Sequence, residues 1–197
     1  MIILAAGLSK RMGSFKPLLP VVAGAAVLDG INISGEAGIG DIIVVTGNMR
    51  GEIESVLSAN APGVRIAYNS RFTDGMFSSV KTGVSALPER LDSFFILPAD
   101  CCAVSADTLK TLIGVSAEVA PEYVVHPKYS GLRGHPPLIP SMYISHILEY
   151  HGENGLKGLL DTLPYVESDT DDRGVLLDMD TPEDYRELLE YLESRNE

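Results

Sequence analysis

Three cationic side chains follow a short apolar run near the start of the chain, in a stretch without an acidic residue before Asp29. The run Ile2–Leu4 is typical of a buried strand, and the turn Ala5–Gly7 after it has only small side chains. The cations are Lys10, Arg11 and Lys16. Small residues let backbone N–H groups approach phosphate oxygens, which Lys and Arg then neutralise. The pattern predicts a polyphosphate site, and a tight turn with exposed surface cations is the alternative.

A carboxylate stands at the end of a second apolar run. The run Ser93–Ala99 is predicted to be a strand, and Asp100 follows it directly. An unpaired charge is costly to bury, and Ser105 is better placed than Asp100 to cap the helix that follows. Mg²⁺ takes one or two carboxylates together with phosphate oxygens and water. We therefore expect Asp100 to be a Mg²⁺ ligand at the end of the sheet.

A second acidic cluster, DMDTPED, spans residues 178–184. Much of it is explained by the start of a helix. Thr181 is a good N-cap, Pro182 fits the first helical position, and Asp184 completes an arrangement like a capping box. Asp180 has no part in that helix start and lies at a strand-to-helix corner.

Two further loops place glycine beside side chains that can form hydrogen bonds. Gly75 lets the backbone approach a planar base, and Ser78 or Ser79 can hydrogen-bond a base edge or a ribose. An ordinary glycine loop with a serine N-cap is the alternative. The other loop, GLRGHPPL at residues 131–138, contains His135, a lone histidine of the kind that is usually solvated.

Alternating apolar strands and helical segments must position these residues. The predicted strands lie near Ile2–Ala5, Asp41–Thr46, Val64–Tyr68, Phe94–Pro98 and Tyr123–His126. The predicted helices lie near Ala25–Ala37, Gly51–Ala59, Ser78–Leu87, Ser105–Val115, Ser141–Tyr150, Gly155–Leu163 and Pro182–Ser194. The alternation predicts an α/β fold, a single three-layer Rossmann-like domain over residues 1–197 with a mostly parallel mixed sheet. Val166–Gly174 is expected to be an acidic, mobile loop. The chemistry is expected beyond the C-terminal ends of the strands.

Composition excludes several classes of protein. The net charge is −12, and more than half of the 27 acidic residues lie from Glu149 onward, which disfavours binding of nucleic acid. No apolar run approaches the roughly 18 residues of a membrane helix, and we expect no signal peptide. Adjacent Cys101 and Cys102 can form only a strained disulfide and lack zinc-site spacing. We therefore expect a cytoplasmic protein.

The residue order at the N-terminus resembles the motif of a known family. This N-terminal segment lacks the GxxxxGK[ST] motif of a P-loop and the GxGxxG motif of a dinucleotide-binding fold. The sequence LAAGxSxRMGxxKPLLP resembles instead that of the MobA-like nucleotidyltransferases, and the whole chain is most similar to the molybdenum cofactor cytidylyltransferases among them. The resemblance implies a nucleotide-diphospho-sugar transferase-like fold. It also implies Mg²⁺-dependent transfer of CMP from CTP to the phosphate of molybdopterin, with release of pyrophosphate.

The resemblance assigns roles to individual residues. The implied catalytic residues are Arg11, Lys16 and Asp100. The implied metal ligands are Asp100 and Asp180, whereas Asp178 is structural. The implied nucleotide-binding residues are Leu4, Ala5, Ala6, Gly7, Arg11, Lys16, Gly75 and Ser79. The implied acceptor-binding residues are Gly134 and His135. CTP is favoured over GTP because members that use guanine tend to have LAGG where this chain has LAAG.

Several positions depart from the family pattern and keep alternatives open. Cys101 and Cys102 replace a Met-Pro or Gln-Pro pair. Glu153 and Lys157 stand where many relatives have Asp and Arg, and lysine cannot bind phosphate in a bidentate manner. The same fold could use GTP, or a sugar or alditol phosphate as acceptor. The chain could also be a non-catalytic module that binds a nucleotide or cofactor.

The resemblance also predicts the partners. They are CTP, the molybdenum cofactor as substrate, and a transient contact with a molybdenum hydroxylase. Nucleic acid and membranes are not among them.

Overall fold

A mixed β-sheet forms the middle layer of the structure, a computed structural model that describes residues 1–195. Residues 196 and 197 of the predicted domain lie outside the described residues. The strands are β1 (Ile2–Ala5), β2 (Ile43–Thr46), β3 (Arg65–Tyr68), β4 (Ser93–Pro98), β5 (Val124–Tyr129), β6 (Leu132–Arg133), β7 (Leu138–Pro140) and β8 (Tyr165–Asp169). Within this range the order is β3-β2-β1-β4-β7-β5-β6, and β8 pairs with β5. The pairings among β3, β2, β1 and β4 and the β5–β8 pair are parallel, so the sheet is mostly parallel, as predicted.

Helices cover both faces of this sheet. They are α1 (Ala26–Glu36), α2 (Arg50–Asn60), α3 (Met76–Ser85), α4 (Ala106–Glu118), α5 (Ile144–Glu149), α6 (Gly155–Leu160) and α7 (Pro182–Ser194). In β1, Ile3 faces the apolar core that contains Leu109 of α4, whereas Ile2 faces the core that contains Val80 of α3. Successive strand residues point to opposite faces, so a strand that is apolar throughout needs helices on both. The three-layer prediction is confirmed.

The start of α7 has the geometry that its sequence predicts. Thr181 accepts a hydrogen bond from the backbone N–H of Asp184, and the Asp184 carboxylate accepts one from the backbone N–H of Thr181. Leu188 anchors α7 in a third apolar cluster, together with Cys102 just after β4. The residue before the cap, Asp180, is thereby held near the end of β4.

The prediction of a mobile loop over Val166–Gly174 is wrong for its first part. Val166 lies inside β8, opposite Val125 of β5. The acidic residues that suggested a loop are matched by a cation on the neighbouring strand, because Lys128 Nζ lies 3.1 Å from Glu167 Oε2 and 3.2 Å from Asp169 Oδ1. Cross-strand charge pairing of this kind cannot be seen in one segment alone.

The parallel strands β1, β2 and β4 end at the same edge of the sheet. The loops that follow β1 and β4 therefore meet there, as the sequence predicts. None of the helices within residues 1–195 is both long and apolar enough to cross a membrane.

Candidate active site

A cavity of about 390 Å³ opens at this edge, between the loop after β1 and the loop after β4. We call it the first cavity. Its lining includes the predicted residues Leu4, Ala6, Gly7, Arg11, Lys16, Gly75, Ser79, Asp100 and Asp180. Ala5 is the predicted nucleotide-binding residue that the lining does not include, because its side chain points from β1 into the apolar core on the α4 side.

Lys16 is the centre of an ion cluster in the first cavity. Its Nζ lies 2.8 Å from Asp100 Oδ2 and 2.5 Å from Asp180 Oδ1. Arg11 approaches the second oxygen of Asp180, with Nη2 2.6 Å from Oδ2. The Lys16 side chain is 11% exposed, whereas that of Arg11 is 70% exposed. Two cations from one loop and two carboxylates from distant parts of the chain thus meet at one point.

The charges in this cluster stabilise one another. Burial alone would lower the pKa of Lys16, but hydrogen bonds to Asp100 and Asp180 raise it above its usual value. For Asp180 the directions are reversed. Burial alone would raise its pKa, but the hydrogen bond and positive charge of Lys16, together with the positive charge of Arg11, lower it below its usual value. Lys16 is therefore cationic and Asp180 anionic at neutral pH.

Asp178 has a different environment from Asp180. Its Oδ1 accepts a hydrogen bond from the backbone N–H of Asp180 at 3.1 Å. Burial first, and then the negative charge of Asp180, raise its pKa. It does not line the first cavity, and its contact holds the backbone of its neighbour, which agrees with the structural role predicted for it.

The two carboxylates of the cluster fit a divalent cation. Asp100 and Asp180 both reach the same nitrogen of Lys16, so they are close enough to share one positive ion. Residues 1–195 contain no group of three or more His, Cys, Asp or Glu placed to hold a metal. Mg²⁺ needs only one or two carboxylates when phosphate oxygens supply other ligands, so this donor set suits a metal that arrives with a polyphosphate.

Gly75 and Ser79 are a further part of the lining of the first cavity. Gly75 is the N-cap of α3 with φ at 101°, a backbone conformation that residues other than glycine rarely adopt. Ser79 is buried and accepts a hydrogen bond from Asn69 Nδ2 at 2.9 Å. Ser78 is inside the first turn, and its hydroxyl bonds back to the Gly75 carbonyl at 2.8 Å, so the alternative in which Ser78 caps the helix is not observed. Asn69, which orients both serines, was not predicted to be a site residue.

A larger cavity of about 570 Å³ adjoins the first one. We call it the second cavity. The two share Leu4, Met76 and Pro98. The predicted acceptor-binding residues Gly134 and His135 line the second cavity, and Lys157 lies there as well. The residues predicted for a nucleotide, Ala5 excepted, thus line the first cavity, and those predicted for an acceptor line the neighbouring second cavity.

The loop that contains Gly134 and His135 is held tightly. A Cβ atom on Gly134 would lie 2.3 Å from the carbonyl oxygen of Val175, which leaves no room for a side chain. The backbone N–H of His135 donates to that same oxygen at 2.8 Å. Desolvation of the imidazolium by the surrounding protein lowers the pKa of His135, which the negative charge of Asp100 opposes.

Some residues of the site carry no sequence signal. His126, in β5, lines the second cavity although it belongs to none of the motifs.

Cys101 and Cys102 are buried, unpaired and absent from the lining of both cavities. Burial raises the pKa of both thiols, so they behave as small apolar residues.

The chain is similar to known nucleotidyltransferases. The model of the MobA-like NTP transferase domain matches residues 1–169. The chain is 27% identical over 184 residues to the molybdenum cofactor cytidylyltransferase of Escherichia coli strain K12, which covers 93% of this chain and 92% of that protein.

Solved structures show the same fold. A nucleotidyl transferase from Methanothermobacter has a TM-score of 0.84 at 23% identity, covering 99% of this chain and 97% of that one. Rv0371c from Mycobacterium tuberculosis H37Rv has a TM-score of 0.81 at 24% identity, with 96% of each chain covered. Its complex with manganese has a TM-score of 0.77 at 22% identity, with the same coverage. The predicted nucleotide-diphospho-sugar transferase-like fold is confirmed. Because the domain model matches most of the chain, the chain belongs to the MobA-like NTP transferase family and is a nucleotidyltransferase.

Proposed function

We propose that the chain transfers CMP from CTP to the phosphate of molybdopterin that carries molybdenum. The observation that carries this proposal is the pair of adjoining cavities, the first with three cations and two carboxylates and the second with a larger apolar wall. Nucleotidyl transfer needs two substrates whose phosphates meet at one point. Two adjoining spaces that share three wall residues would provide such a meeting point.

The bonds change at a single phosphorus atom. A phosphate oxygen of the acceptor attacks the α-phosphorus of CTP in line, and the bond from that phosphorus to the oxygen bridging to the β-phosphorus breaks. Pyrophosphate leaves with the electron pair of that bond. The protein needs no covalent chemistry of its own, so its contribution is positioning and neutralisation of charge.

The first cavity contains groups suited to this contribution. Lys16, nearly buried and cationic, would bind the triphosphate, and Arg11 would neutralise the leaving pyrophosphate from the more exposed side. Asp100 and Asp180 would hold Mg²⁺. When bound, the metal would neutralise phosphate charge and orient the phosphate oxygens. The complex of Rv0371c with manganese supports a divalent ion in this fold.

The remaining predicted roles follow from the same arrangement. The backbone at Ala6 and Gly7, with Leu4, Gly75 and Ser79 in the same cavity lining, would approach the base and ribose. For Ala5, only a backbone contact is consistent with its buried side chain. His135 and Gly134 would contact the acceptor phosphate in the second cavity.

CTP is proposed over GTP on two grounds. The loop is LAAG rather than LAGG, and the relative from Escherichia coli is a cytidylyltransferase. The same relative supports the molybdenum cofactor as the acceptor. A cytoplasmic location, expected from the sequence, is part of the proposal. A transient contact with a molybdenum hydroxylase that receives the product is part of the proposal.

A second candidate acceptor is a sugar or alditol phosphate. Lys157 stands where many relatives have Arg, and it lines the second cavity. Because lysine cannot bind phosphate in a bidentate manner, this difference would change how the second cavity recognises the acceptor. Pyrophosphate release with CTP and Mg²⁺, measured in parallel for molybdopterin and for a set of sugar and alditol phosphates, separates the two. Release with molybdopterin alone supports the main proposal, and release with a sugar or alditol phosphate alone would replace it. CTP binding without release for any acceptor would favour a non-catalytic module.

A further inference from the structure

The space between the two carboxylates of the first cavity is taken by a cation of the protein itself. Lys16 Nζ lies 2.8 Å from Asp100 Oδ2 and 2.5 Å from Asp180 Oδ1. A divalent ion that used both carboxylates would need oxygens that this ammonium group already holds. Lys16 and a metal ion therefore compete for one pair of ligands.

Asp180 has no oxygen to spare for a metal. Its Oδ1 contacts Lys16, and its Oδ2 contacts Arg11 Nη2 at 2.6 Å. The Arg11 side chain is 70% exposed, and an ion pair so open to water contributes little stability and separates easily. Lys16 is nearly buried and holds Asp100 as well. The Lys16 contacts therefore decide whether both carboxylates are available together.

Lys16 can change partners without a rearrangement of its loop. Its backbone N–H donates to Ser9 Oγ at 3.1 Å, and its carbonyl accepts from the backbone N–H of Leu19 at 3.0 Å. The backbone is thus anchored on both sides of the residue. The side chain is a flexible four-carbon stem with a compact charge at its end, so rotation about the stem is sufficient to move that charge.

The ammonium group needs another anion before it can leave the carboxylates. A buried charge without a partner is costly, so Lys16 keeps Asp100 and Asp180 as long as the first cavity offers nothing else. A polyphosphate supplies several anionic oxygens. The lining of the first cavity includes Ser9 and Lys10 together with Lys16 and both carboxylates, so a polyphosphate bound there would lie within the same space.

We propose that Lys16 is a built-in competitor of the metal, which holds Asp100 and Asp180 in the free protein and transfers its ammonium group to the triphosphate when the nucleotide binds. The metal alone then binds weakly, and the metal and CTP bind cooperatively. The inference rests on the metal and CTP site of the proposed function and does not depend on the acceptor. It gives Lys16 a role in the free protein besides its role toward the triphosphate.

The first test measures Mn²⁺ affinity by electron paramagnetic resonance in the absence of nucleotide, for native protein, Lys16→Met and Lys10→Met. Lys10 is the matched control because it also lines the first cavity, yet within residues 1–195 it forms no ion pair. Each change removes one positive charge from the same cavity. The difference between the two variants therefore separates occupation of the carboxylates from the general effect of charge. Urea denaturation checks that each protein is folded.

We expect Lys16→Met to strengthen Mn²⁺ binding at least about tenfold, and Lys10→Met to change it by less than about twofold. Addition of CTP should strengthen Mn²⁺ binding by a larger factor in native protein than in Lys16→Met, because only native protein has a competitor to remove. Mn²⁺ affinity that is unchanged or lower in Lys16→Met, or an equal gain in both variants, would overturn the inference.

A second test uses native protein and needs no variant that folds. Acetylation of lysines by the N-hydroxysuccinimide ester of acetic acid is followed by mass spectrometry of peptides as Mg²⁺ is added without nucleotide. The rate for Lys16 should rise with Mg²⁺ concentration, whereas the rate for the exposed Lys110 should stay constant. A Lys16 rate that does not respond to Mg²⁺ would overturn the inference and leave the proposed function standing. No binding of Mn²⁺ by native protein even with CTP would overturn both.

Discussion

Lys16 donates a hydrogen bond from Nζ to Oδ2 of Asp100 across 2.8 Å, although 84 positions separate the two residues in the chain. The bond joins the loop after β1 to the loop after β4, two strands that are adjacent and parallel. The same Nζ contacts Asp180, so one buried cation bridges the two carboxylates that line the first cavity.

Replacing Lys16 with methionine should reduce catalysis strongly, because its charge is the nearly buried one in the cluster. By analogy with the loss of one oxyanion donor, we expect kcat to fall by about 30- to 1,000-fold, or about 2–4 kcal/mol of transition-state stabilisation. Steady-state pyrophosphate release measures the effect. Lys110→Met, which removes an exposed lysine paired with Asp107 on α4, is the control and should retain native kcat.

Asp100→Asn should weaken the binding of a divalent metal, because one of two carboxylates that converge on the same point loses its charge. Titration with Mn²⁺, followed by electron paramagnetic resonance in the presence of CTP, measures this without relying on turnover. We expect at least about a tenfold loss of Mn²⁺ affinity.

Asp178→Asn is the matched control for that experiment. An asparagine keeps the side-chain oxygen that accepts the backbone N–H of Asp180, so metal affinity should stay within about twofold of native. An equal loss of Mn²⁺ affinity in both variants would mean that general negative charge, and not ligation by Asp100, attracts the metal.

Gly134→Ala should destabilise the protein. A Cβ there meets the Val175 carbonyl at 2.3 Å, so the loop that contains His135 must move. We expect the free energy of unfolding to fall by about 1–3 kcal/mol, measured by urea denaturation. The control Gly114→Ala has the opposite expected sign, because Gly114 lies inside α4 with open space around it and alanine stabilises a helix by up to about 1 kcal/mol. Destabilisation by both changes would contradict the steric explanation.

The sequence predicts those parts of the fold that depend on local pattern. β1, with its unbroken apolar run, and α7, with its capping box, lie where the pattern places them. The two-residue β6 and three-residue β7 are too short for a periodic signal, and β8 is defined by its pairing with β5. Strand pairing between distant segments is a tertiary property that no single window of sequence contains.

The grouping of four predicted site residues can be compared with the structure in the same way, whereas their roles stay predictions. Arg11, Lys16, Asp100 and Asp180 fall together because each follows or precedes a recognisable element. The ion pairs that join them are not visible in sequence, since each carboxylate approaches Lys16 from a separate loop. His126 escapes prediction for another reason, namely that only the side-by-side packing of β5, β6 and β8 gives it a place in the cavity wall.

Asp172 should make stability depend on pH. Its Oδ2 accepts hydrogen bonds from the Ser105 backbone and the Thr108 hydroxyl, both at 2.7 Å, and its Oδ1 accepts from Tyr191 at 2.8 Å. Burial alone would raise its pKa, but these hydrogen bonds lower it below the usual value. A lowered folded-state pKa stabilises the protein above the unfolded pKa of about 3.9, and this contribution is lost as the pH falls through the folded pKa.

Asp172→Asn should therefore lower the free energy of unfolding by about 1–3 kcal/mol at pH 7, and the difference from native protein should shrink below about pH 4. Urea denaturation of both proteins at pH 7 and below about pH 4 measures this difference in the free energy of unfolding. Asp171→Asn, at the exposed neighbouring position, should show no comparable effect. A deficit of Asp172→Asn that is the same at both pH values would contradict the assignment to its ionised form.

The most direct test of the proposed function is pyrophosphate release with Mg²⁺ and molybdenum-loaded molybdopterin, compared for CTP, GTP and ATP. Native protein and Asp100→Ala are measured side by side. We predict release with CTP alone, and its loss in Asp100→Ala while CTP binding persists. Release with GTP in place of CTP would contradict the base assignment, and CTP-dependent release that Asp100→Ala retains would contradict the metal site.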